Sequence, residues 1–384
     1  MSRPREAARL APLVLATMTS QALIVVLSPT IVEVGADLGA SVSAVGQARS
    51  ISAAVAVIAS VIVLRRVDAV GVPRLGAVGA LVAIGASSLL SLSPGLAMFL
   101  SGHVLVGIGI ALLLSAGFAG VAAFPPERRA WAMGYVAGAN ALAWVAVNPV
   151  VGIVTDLVSW RLAHAAPAAL AVACLLSLRR AGSGGNVTIP PRLSALFAHR
   201  SARRWIVTEL IAYGAWTGLL TFIGAFFVEE LEVGESTVGW LLALGAAAYF
   251  VASTRIGALT DRWPRRRMIA GAAILMAGLA VFQFQVMGVV PATLIFVAIG
   301  SSAGVRTPAS SGLGLEQLPG HPGAMMAART AATQLGYLVG AVMGGVVIAV
   351  WGYAALGIAL ALGLTLSASL ILLVRDPLEE RARS

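Results

Sequence analysis

Several ionisable side chains lie inside apolar stretches of this sequence that are each long enough to cross a membrane. A charged group near the centre of a bilayer costs about 2.5 kcal/mol or more, so a residue of this kind is a candidate for function by default. Arg306 lies near the middle of one such stretch, with Pro308 two residues later. A guanidinium there needs a carboxylate, backbone carbonyls or an anionic ligand. Arg306 is therefore either a binding residue or a structural arginine satisfied by carbonyls near the proline break.

Two more ionisable residues are candidates for proton coupling. His103 lies in an apolar stretch, and an unperturbed imidazole titrates near neutral pH. It is either a proton relay or a hydrogen-bonding histidine packed among small residues. Arg49 lies about two turns inside its own stretch. It either takes part in transport or pairs with Glu33 or Asp37 at the end of the preceding stretch.

Glu209 begins a periodic series of polar and aromatic residues. Tyr213 and Trp216 follow it at i+4 and i+7, which places all three on one face of a helix. A carboxylate followed by two aromatic rings can line a cavity and bind a cationic or aromatic substrate. The alternative is that Glu209 only pairs with Arg203 or Arg204 at the helix end.

The composition requires that these residues be positioned by membrane-spanning helices. The chain has 384 residues, of which 59% are hydrophobic and 11% are charged, whereas soluble domains carry about 25% charged residues. The net charge is +10, and all 26 Lys and Arg residues are arginine. In a membrane protein such an excess marks cytoplasmic loops, so nucleic-acid binding is not implied. The lone Cys174 excludes an intrachain disulfide or a cysteine-built metal site.

A membrane span needs about 20 apolar residues, and twelve stretches qualify. The predicted spans are 11–33, 43–64, 74–92, 96–121, 132–154, 162–178, 205–228, 237–257, 268–289, 291–315, 325–350 and 352–374. The glycines of the eleventh span, among them Gly336 and Gly340, are spaced for close helix packing.

The sequence also repeats itself. Subtracting 193 from Asp261 gives Asp68, and the same shift relates Arg267 to Arg74. It also relates three residues before each loop, namely Ser236, Val238 and Gly239 to Ser43, Val45 and Gly46. Coincidence at one shift of half the chain predicts two pseudo-symmetric six-helix halves. The predicted domains are a first half at 1–178, a cytoplasmic linker at 179–204 and a second half at 205–384.

Arginine placement predicts the orientation. With the N-terminus inside, nearly all arginine-rich connectors and both termini lie on the cytoplasmic side, and Arg161 is the basic residue left outside. We expect a multi-pass protein of the cell (inner) membrane.

The arginine-rich loop of the second half carries a recognisable pattern. Its residues match Gly-x-Leu-x-Asp-Arg-x-Gly-Arg-Arg at Gly257, Leu259, Asp261, Arg262, Arg265 and Arg266, and the first-half loop matches at Asp68, Gly71 and Arg74. Over essentially the whole chain the sequence resembles the major facilitator superfamily. The resemblance implies that these residues form a latch that locks helix ends together in one alternating state. On the residues alone, the alternative is that the charges only set topology.

Further matches resemble the twelve-span drug:proton antiporter and sugar-efflux branch of that superfamily. They are the segment 100–109, with His103 in the place of an arginine, the segment 148–152, with Asn148 in the place of a glycine, and the Ser-Trp-Arg turn at 159–161. Gln21 occupies a place where this branch often has an acidic residue. The segment 336–345 in the eleventh span is also similar.

The resemblance implies a secondary transporter that exports a small organic molecule in exchange for protons, by alternating access. The expected substrate-binding residues are Gln21, Asn140, Tyr213, Trp216, Arg306 and Gln334, and the expected proton-coupling residues are His103, Glu209 and Arg49. We expect no enzyme activity and no cofactor, since no metalloprotease or phosphate-cradling motif occurs. The expected partners are a small-molecule substrate, protons and the lipid bilayer, with the protein as a monomer. The alternatives are a transporter of a small organic anion by uniport or exchange, and a non-transporting membrane receptor.

Overall fold

The computed structural model describes residues 3–124, 126–178, 199–256, 263–285, 287–318, 322–377 and 379. These residues form helices and short connections, and they contain no β-strand. The predicted all-α class is therefore confirmed.

The first half contains eight helices within the described residues. They are α1 (Arg3–Val25), α2 (Leu27–Leu38), α3 (Val42–Val70), α4 (Val72–Ser91), α5 (Leu96–Ala119), α6 (Pro126–Leu157), α7 (Trp160–Ala163) and α8 (Ala166–Leu178), with a 3-10 turn at Gly120–Ala123. The described part of the second half contains α9 (Arg200–Glu229), α10 (Glu235–Ile256), α11 (Arg265–Gln283), α12 (Val289–Gln317) and α13 (Pro322–Ile371).

The described residues contain eleven helical stretches long and apolar enough to cross a membrane, one of which, Trp160–Leu178, joins α7 and α8. The last of them, α13, contains Gly352 at φ 78° and ψ −176°, a conformation that divides it into two helical segments. A left-handed φ favours glycine because it has no Cβ. The predicted eleventh and twelfth spans thus join at Gly352, and the twelve expected spans are accounted for.

The first predicted span is interrupted and longer than predicted. The helical hydrogen-bond pattern breaks at Val26, and α2 continues to Leu38, where Gly39 at φ 63° ends it. Pro29 explains the interruption, because a proline has no N–H to donate and its ring clashes with the carbonyl four residues earlier. Glu33 and Asp37 therefore lie on a helix. At the start of the second half α9 begins at Arg200, so residues 200–204 of the predicted linker are helical.

The chain divides into two compact units. The first contains α1 to α8 and also Val233–Ala243, the beginning of α10. Within this unit Gly152 of α6 lies against α10, since a Cβ on Gly152 would come within 2.3 Å of the Glu235 carbonyl oxygen. A Cβ on Gly239 would come within 2.5 Å of the Asn148 carbonyl oxygen. Only glycine permits so close an approach of two helix backbones.

The second unit contains α9, α11, α12, α13 and the rest of α10. Its helices α9 and α13 pack through the glycines of the eleventh predicted span. A Cβ on Gly340 would lie 2.3 Å from the Gly214 carbonyl oxygen, and one on Gly336 would lie 2.7 Å from Tyr213 Cβ. The predicted packing role of these glycines is confirmed, and it fixes Tyr213 against α13.

Candidate functional site

The second unit holds a buried group of charged side chains around Glu209. The Glu209 side chain is 0% exposed. Its Oε1 accepts hydrogen bonds from Arg306 Nη2 and, at 2.8 Å, from Ser310 Oγ. Its Oε2 accepts one from Arg329 Nε at 3.3 Å. We call these four residues together with Tyr213 the charge cluster. It joins α9, α12 and α13 through one carboxylate.

Helix geometry brings these donors together. Arg306 and Ser310 are four residues apart on α12, so both side chains lie on the same face and reach the same carboxylate oxygen. Trp205, one turn before Glu209 on α9, donates its indole N–H to both the carbonyl oxygen and the Oγ of Ser310, each at 3.1 Å. Trp205 is completely buried. It therefore holds Ser310 in place to donate to Glu209.

Tyr213 forms the next layer of the charge cluster. Its hydroxyl accepts a hydrogen bond from Arg329 Nη2. The Cζ atom of Arg306 lies 5.7 Å from the centroid of the Tyr213 ring, and that of Arg329 lies 5.4 Å from it. A ring face attracts a cation at such distances. Tyr213 therefore stabilises both guanidiniums without contributing a negative charge.

An aromatic pair adjoins the charge cluster. Trp216 and Tyr249 stack with their ring centroids 6.4 Å apart and 16° between the ring planes. Tyr249 also hydrogen-bonds Thr307, the residue next to Arg306. Both rings are only partly buried, so together they offer an apolar surface beside the guanidiniums.

The charges of the charge cluster do not balance. Two guanidiniums share one carboxylate, and within the described part of the chain neither arginine forms an ion pair with any other acidic residue. Arg306 Nε is buried and has no hydrogen-bond partner among the described residues. The Arg329 side chain is 20% exposed. The charge cluster can therefore accept a further negative charge.

The structure decides between two interpretations of Glu209. The alternative that it pairs with Arg203 or Arg204 is wrong, because its carboxylate pairs with Arg306 and Arg329. Arg204 instead donates to the Leu373 carbonyl oxygen at 3.1 Å. Of the other predicted second-half residues, Tyr213 and Arg306 belong to the charge cluster and Trp216 lies beside it. Gln334 is buried on α13 but makes no hydrogen bond to the charge cluster within the described residues.

The predicted polar residues of the first half lie elsewhere, in the first unit. Gln21 Oε1 accepts a hydrogen bond from Trp144 Nε1 at 3.1 Å. Asn140 Oδ1 is buried with no hydrogen-bond partner among the described residues. Asn148 Nδ2 donates to the Trp144 carbonyl oxygen at 2.7 Å. Trp144 of α6 therefore hydrogen-bonds both Gln21 of α1 and Asn148 of its own helix.

His103 packs among aromatic rings rather than among small residues alone. Its Nδ1 lies 3.0 Å from the Phe99 carbonyl oxygen, and its ring centroid lies 4.8 Å from that of Phe99. Phe99 also contacts Trp160 and His164, whose centroids lie 5.8 Å and 5.5 Å away. We call these four residues the aromatic cluster of the first half.

Arg49 is buried, with 3% of its surface exposed. Asp37, one of its two suggested partners, pairs with Arg161 at 2.7 Å and accepts a hydrogen bond from Trp160 at 3.1 Å. Asp37 therefore ties α2 to α7.

Of the predicted latch residues, Gly257, Asp261 and Arg262 lie outside the described residues, as does the Asp68 side chain. Gly71 precedes α4 at φ 80°, where glycine is favoured. Arg74 is exposed.

Arg265 and Arg266 bind at the ends of other elements of the second unit. Arg265 pairs with Glu316 at the end of α12, at 2.8 Å. Arg266 pairs with Glu379 beyond α13, and its backbone N–H donates to Asp376 at 2.9 Å. Arg267 joins Glu379 at 2.7 Å. The start of α11 is thereby fastened to α12 and to the segment after α13.

These bonds change the acidity of Glu379. Hydrogen bonds from Arg266 and then Arg267 lower the pKa of its carboxyl from 4.5 to about 2, although partial desolvation acts in the opposite direction. The carboxylate is therefore ionised throughout the physiological pH range.

Comparison with known proteins settles the family. A model of the Major Facilitator Superfamily matches residues 13–208 and again residues 205–384. The chain belongs to this superfamily. Two matches, one to each half, agree with the internal repeat. Members of the superfamily are transporters, so the chain is a multi-pass membrane protein and not an enzyme, as the sequence predicted.

Relatives and solved structures agree with this assignment. Two uncharacterized MFS-type transporters of Mycobacterium tuberculosis, MT2531 of strain CDC 1551 / Oshkosh and Rv2456c of strain ATCC 25618 / H37Rv, are each 25% identical over 134 residues. Those matches span 35% of this chain and only 30% of either relative. Their names agree with the family and give no substrate.

Two crystal structures of a bacterial homologue of the human lysosomal transporter Spinster share the fold. The inward-facing unoccupied form superposes with a TM-score of 0.74 at 15% identity, and the inward-facing occupied form with 0.76 at 14%. Each match covers 97% of this chain and 95% of the other. At such identities the likeness concerns the fold alone.

Sequence reasoning missed several residues of the site. Arg329 lies inside the predicted span 325–350, so its position among apolar residues was a signal of the same kind as that of Arg306. Ser310 and Trp205 carried no such signal, because serine and tryptophan are common in membrane helices. Tyr249 and His164 became visible only through their ring contacts.

Proposed function

We propose that this chain is a proton-coupled secondary transporter that moves a small organic molecule by alternating access, with Glu209 as the proton-binding group. One observation carries the proposal. The Glu209 carboxylate is completely buried among the helices of a membrane protein, and it is the acceptor that joins Arg306, Arg329 and Ser310.

Protonation of Glu209 changes this arrangement at once. A protonated carboxyl group carries no charge and becomes a donor, so both arginines lose their ion pair in a single step. Leaving a buried charge without its partner costs about 3–5 kcal/mol. The arginines must then find another counter-charge, or α9, α12 and α13 must move. A group that biases two arrangements of packed helices is what coupling requires.

Other predicted residues complete the proposal. Gln21, Asn140 and Gln334 remain proposed substrate-binding residues, as do Tyr213, Trp216 and Arg306. The buried Asn140 Oδ1 supports this role, since it has no hydrogen-bond partner among the described residues. We assign His103 and Arg49 to the proton path of the first half, where both are buried.

The arginine motif of the second half would act as the latch. Its bonds from α11 to Glu316 and Glu379 join three helix ends in this structure. Charge-assisted bonds of this kind can be made in one conformation and broken in another. We propose that they stabilise one of the alternating states.

Direction and location rest on the sequence. The resemblance to the efflux branch supports export across the cell (inner) membrane, with both termini cytoplasmic and the protein acting as a monomer. The relative direction of proton and substrate depends on substrate charge. A cation that needs ionised Glu209 would exchange with protons, whereas an anion that needs free arginines would travel with them.

Purified protein in liposomes that contain a pH-sensitive dye tests the proposal. A gradient of each member of a panel of organic cations, neutral sugars and organic anions is imposed in turn, and proton movement is recorded. We expect one class to drive proton movement, and the Glu209→Gln variant to abolish it. Substrate flux without proton movement in the unmodified protein would contradict proton coupling and leave a uniporter or exchanger.

A further inference from the structure

The charge cluster holds one more positive charge than negative when Glu209, Arg306 and Arg329 are ionised. From this imbalance we infer that the substrate is a small monoanion attached to a flat apolar ring, and that it travels in the same direction as the proton. The inference rests on the proposed function, since it takes Glu209 as the proton-binding group.

The geometry of Arg306 supports an anionic ligand. This residue is 4% exposed, and its Nε is buried without a hydrogen-bond partner among the described residues. A guanidinium has five N–H donors in a planar fork that matches the two oxygens of a carboxylate. A buried donor without a partner costs free energy, so an anion that meets Arg306 Nε gains a bond the protein leaves unmade.

Arg329 provides the second point of attachment. Its Nε reaches Glu209 at 3.3 Å, a long distance for a charge-assisted hydrogen bond. A fifth of its side chain is exposed, in contrast to 5% for Arg306. Arg329 is therefore the cation that an incoming anion meets first, and its weak bond to Glu209 is the one most readily replaced.

The aromatic pair indicates the chemistry of the uncharged part of the ligand. Trp216 and Tyr249 lie beside Arg306 through the Tyr249–Thr307 hydrogen bond, and both are partly exposed. Flat rings add to such a pair in offset or edge-to-face contact. The ligand that satisfies both surfaces has an anionic group at one end and an aromatic ring at the other. Carboxylate and sulfonate groups share this chemistry.

The direction of coupling follows from competition for the arginines. Ionised Glu209 and an anionic substrate both require Arg306 and Arg329, so each weakens the binding of the other. A monoanion balances the charges while Glu209 is ionised, and it binds more tightly once Glu209 takes a proton, because the competing carboxylate is then neutral. Proton binding and anion binding therefore favour each other. Such a transporter carries the two together and exports the anion when the anion is more concentrated inside.

The charge requirement is tested by calorimetric binding to the purified full-length protein. The probes are 2-naphthoate and 2-naphthalenesulfonate as anions, 2-naphthamide as a neutral analogue and 2-naphthylmethylammonium as a cation. We expect an anion to bind and the neutral and cationic probes to bind at least about 10-fold more weakly. Comparable binding of the amide, or tighter binding of the cation, would overturn the inference. Which anion binds more tightly tells carboxylate from sulfonate.

Three variants test the assigned residues. Glu209→Gln removes the competitor and should tighten anion binding by about 10-fold or more, whereas Arg306→Gln should weaken it by about 10- to 100-fold. Because Arg306→Gln leaves Glu209 and Arg329 as a neutral pair, the double variant Glu209→Gln/Arg306→Gln tests Arg306 without the competing carboxylate. It should bind anions more weakly than Glu209→Gln alone. Arg203→Gln, at an exposed position on the same helix, is the matched control and should change nothing.

Binding and coupling can fail separately. In liposomes, an outward gradient of the bound anion should carry protons out with it, so that the interior becomes more alkaline. Arginine-dependent anion binding without proton movement would contradict the proposed proton coupling and support the inferred anionic substrate. Proton movement in exchange for a cation, with no anion binding, would keep proton coupling and overturn the inference.

Discussion

The two halves of this chain place different residues at the same three positions of their repeated helices. The shift of 193 that relates the two loops also relates Glu209, Arg306 and Arg329 to Ala16, Leu113 and Val136. The first-half residues lie on α1, α5 and α6, and each is at most 2% exposed. One fold thus holds an apolar core at these positions in the first half and three charges in the second.

At their helix ends the two halves make similar hydrogen bonds. The shift relates Trp160 to Tyr353, and each ties its short turn to an acidic residue at the end of a neighbouring helix. Trp160 Nε1 donates to Asp37 at 3.1 Å, and the Tyr353 hydroxyl donates to Glu229 at 2.6 Å. Contacts that hold the helices in place are therefore shared by the two halves, whereas the charged triad is not. The fold can fill these positions with alanine, leucine and valine, so we assign the charged triad to the transport function proposed above.

The largest effect is expected from transferring the first-half residues into the second half. The triple variant Glu209→Ala/Arg306→Leu/Arg329→Val should lose all transport and still fold. Replacing a buried ionic group with apolar residues is often neutral or stabilising by about 1–4 kcal/mol. The single variant Glu209→Ala should instead be destabilised by about 3–5 kcal/mol, since it leaves two buried cations.

Thermal unfolding of the purified variants in detergent, followed by flux in liposomes, measures both effects. The comparison breaks down if the triple variant unfolds at a lower temperature than Glu209→Ala. In that case the charges would be needed for folding, and the apolar triad of the first half would not be equivalent.

The sequence predicted the helices that carry the charged triad, but it did not predict which side chains of the triad pair with one another. Apolar length is enough to locate the spans, because a bilayer requires it, and the Gly352 break falls where the eleventh and twelfth spans meet. Periodicity placed Glu209, Tyr213 and Trp216 on one face but could not say what that face meets. The local arginines at 203 and 204 were the natural suggestion, whereas the actual partners are 97 and 120 residues away. Only packing of three helices brings those side chains together.

The next effect concerns the packing of α9 on α13, which positions Tyr213. A Cβ on Gly340 would lie 2.3 Å from the Gly214 carbonyl oxygen, so Gly340→Val forces these two helices apart. Overpacking of this kind costs about 1–3 kcal/mol. Gly271→Val on α11 is the matched control, because a Cβ there meets nothing within 4 Å. Thermal unfolding should separate the two variants, and equal unfolding temperatures would show that α9 and α13 adjust freely.

A smaller effect should appear at the shared helix-end contacts. Tyr353→Phe removes the donor to Glu229, which lies at an exposed position, and we expect a loss of about 1 kcal/mol. Trp160→Phe removes the equivalent donor to Asp37, which keeps its ion pair with Arg161, but it also removes part of a fully buried ring. The loss there should exceed that of Tyr353→Phe, because a cavity is added to the lost hydrogen bond. An equal or smaller loss in thermal unfolding would mean that the cavity is refilled and that Arg161 compensates for the lost donor.

The smallest effect lies in the arginine loops, where the halves differ again. Arg267 pairs with Glu379, whereas Arg74, its equivalent, is exposed and forms no ion pair within the described residues. Because Arg266 and Arg267 lower the pKa of Glu379 from 4.5 to about 2, the stabilisation they provide is fully present above pH 4.5. It is lost as the pH falls through about 2.

A fluorophore on Leu373→Cys, in a Cys174→Ser background, reports on this segment through its anisotropy. The anisotropy should stay constant between pH 7 and pH 5, the range above the unfolded pKa of Glu379, and fall only in the acidic window. Glu379→Gln should lower it at neutral pH. A signal that is unchanged by Glu379→Gln would show that the Asp376 bond to the Arg266 backbone is sufficient. The latch of the second half would then depend on the cap of α11 rather than on its arginine side chains.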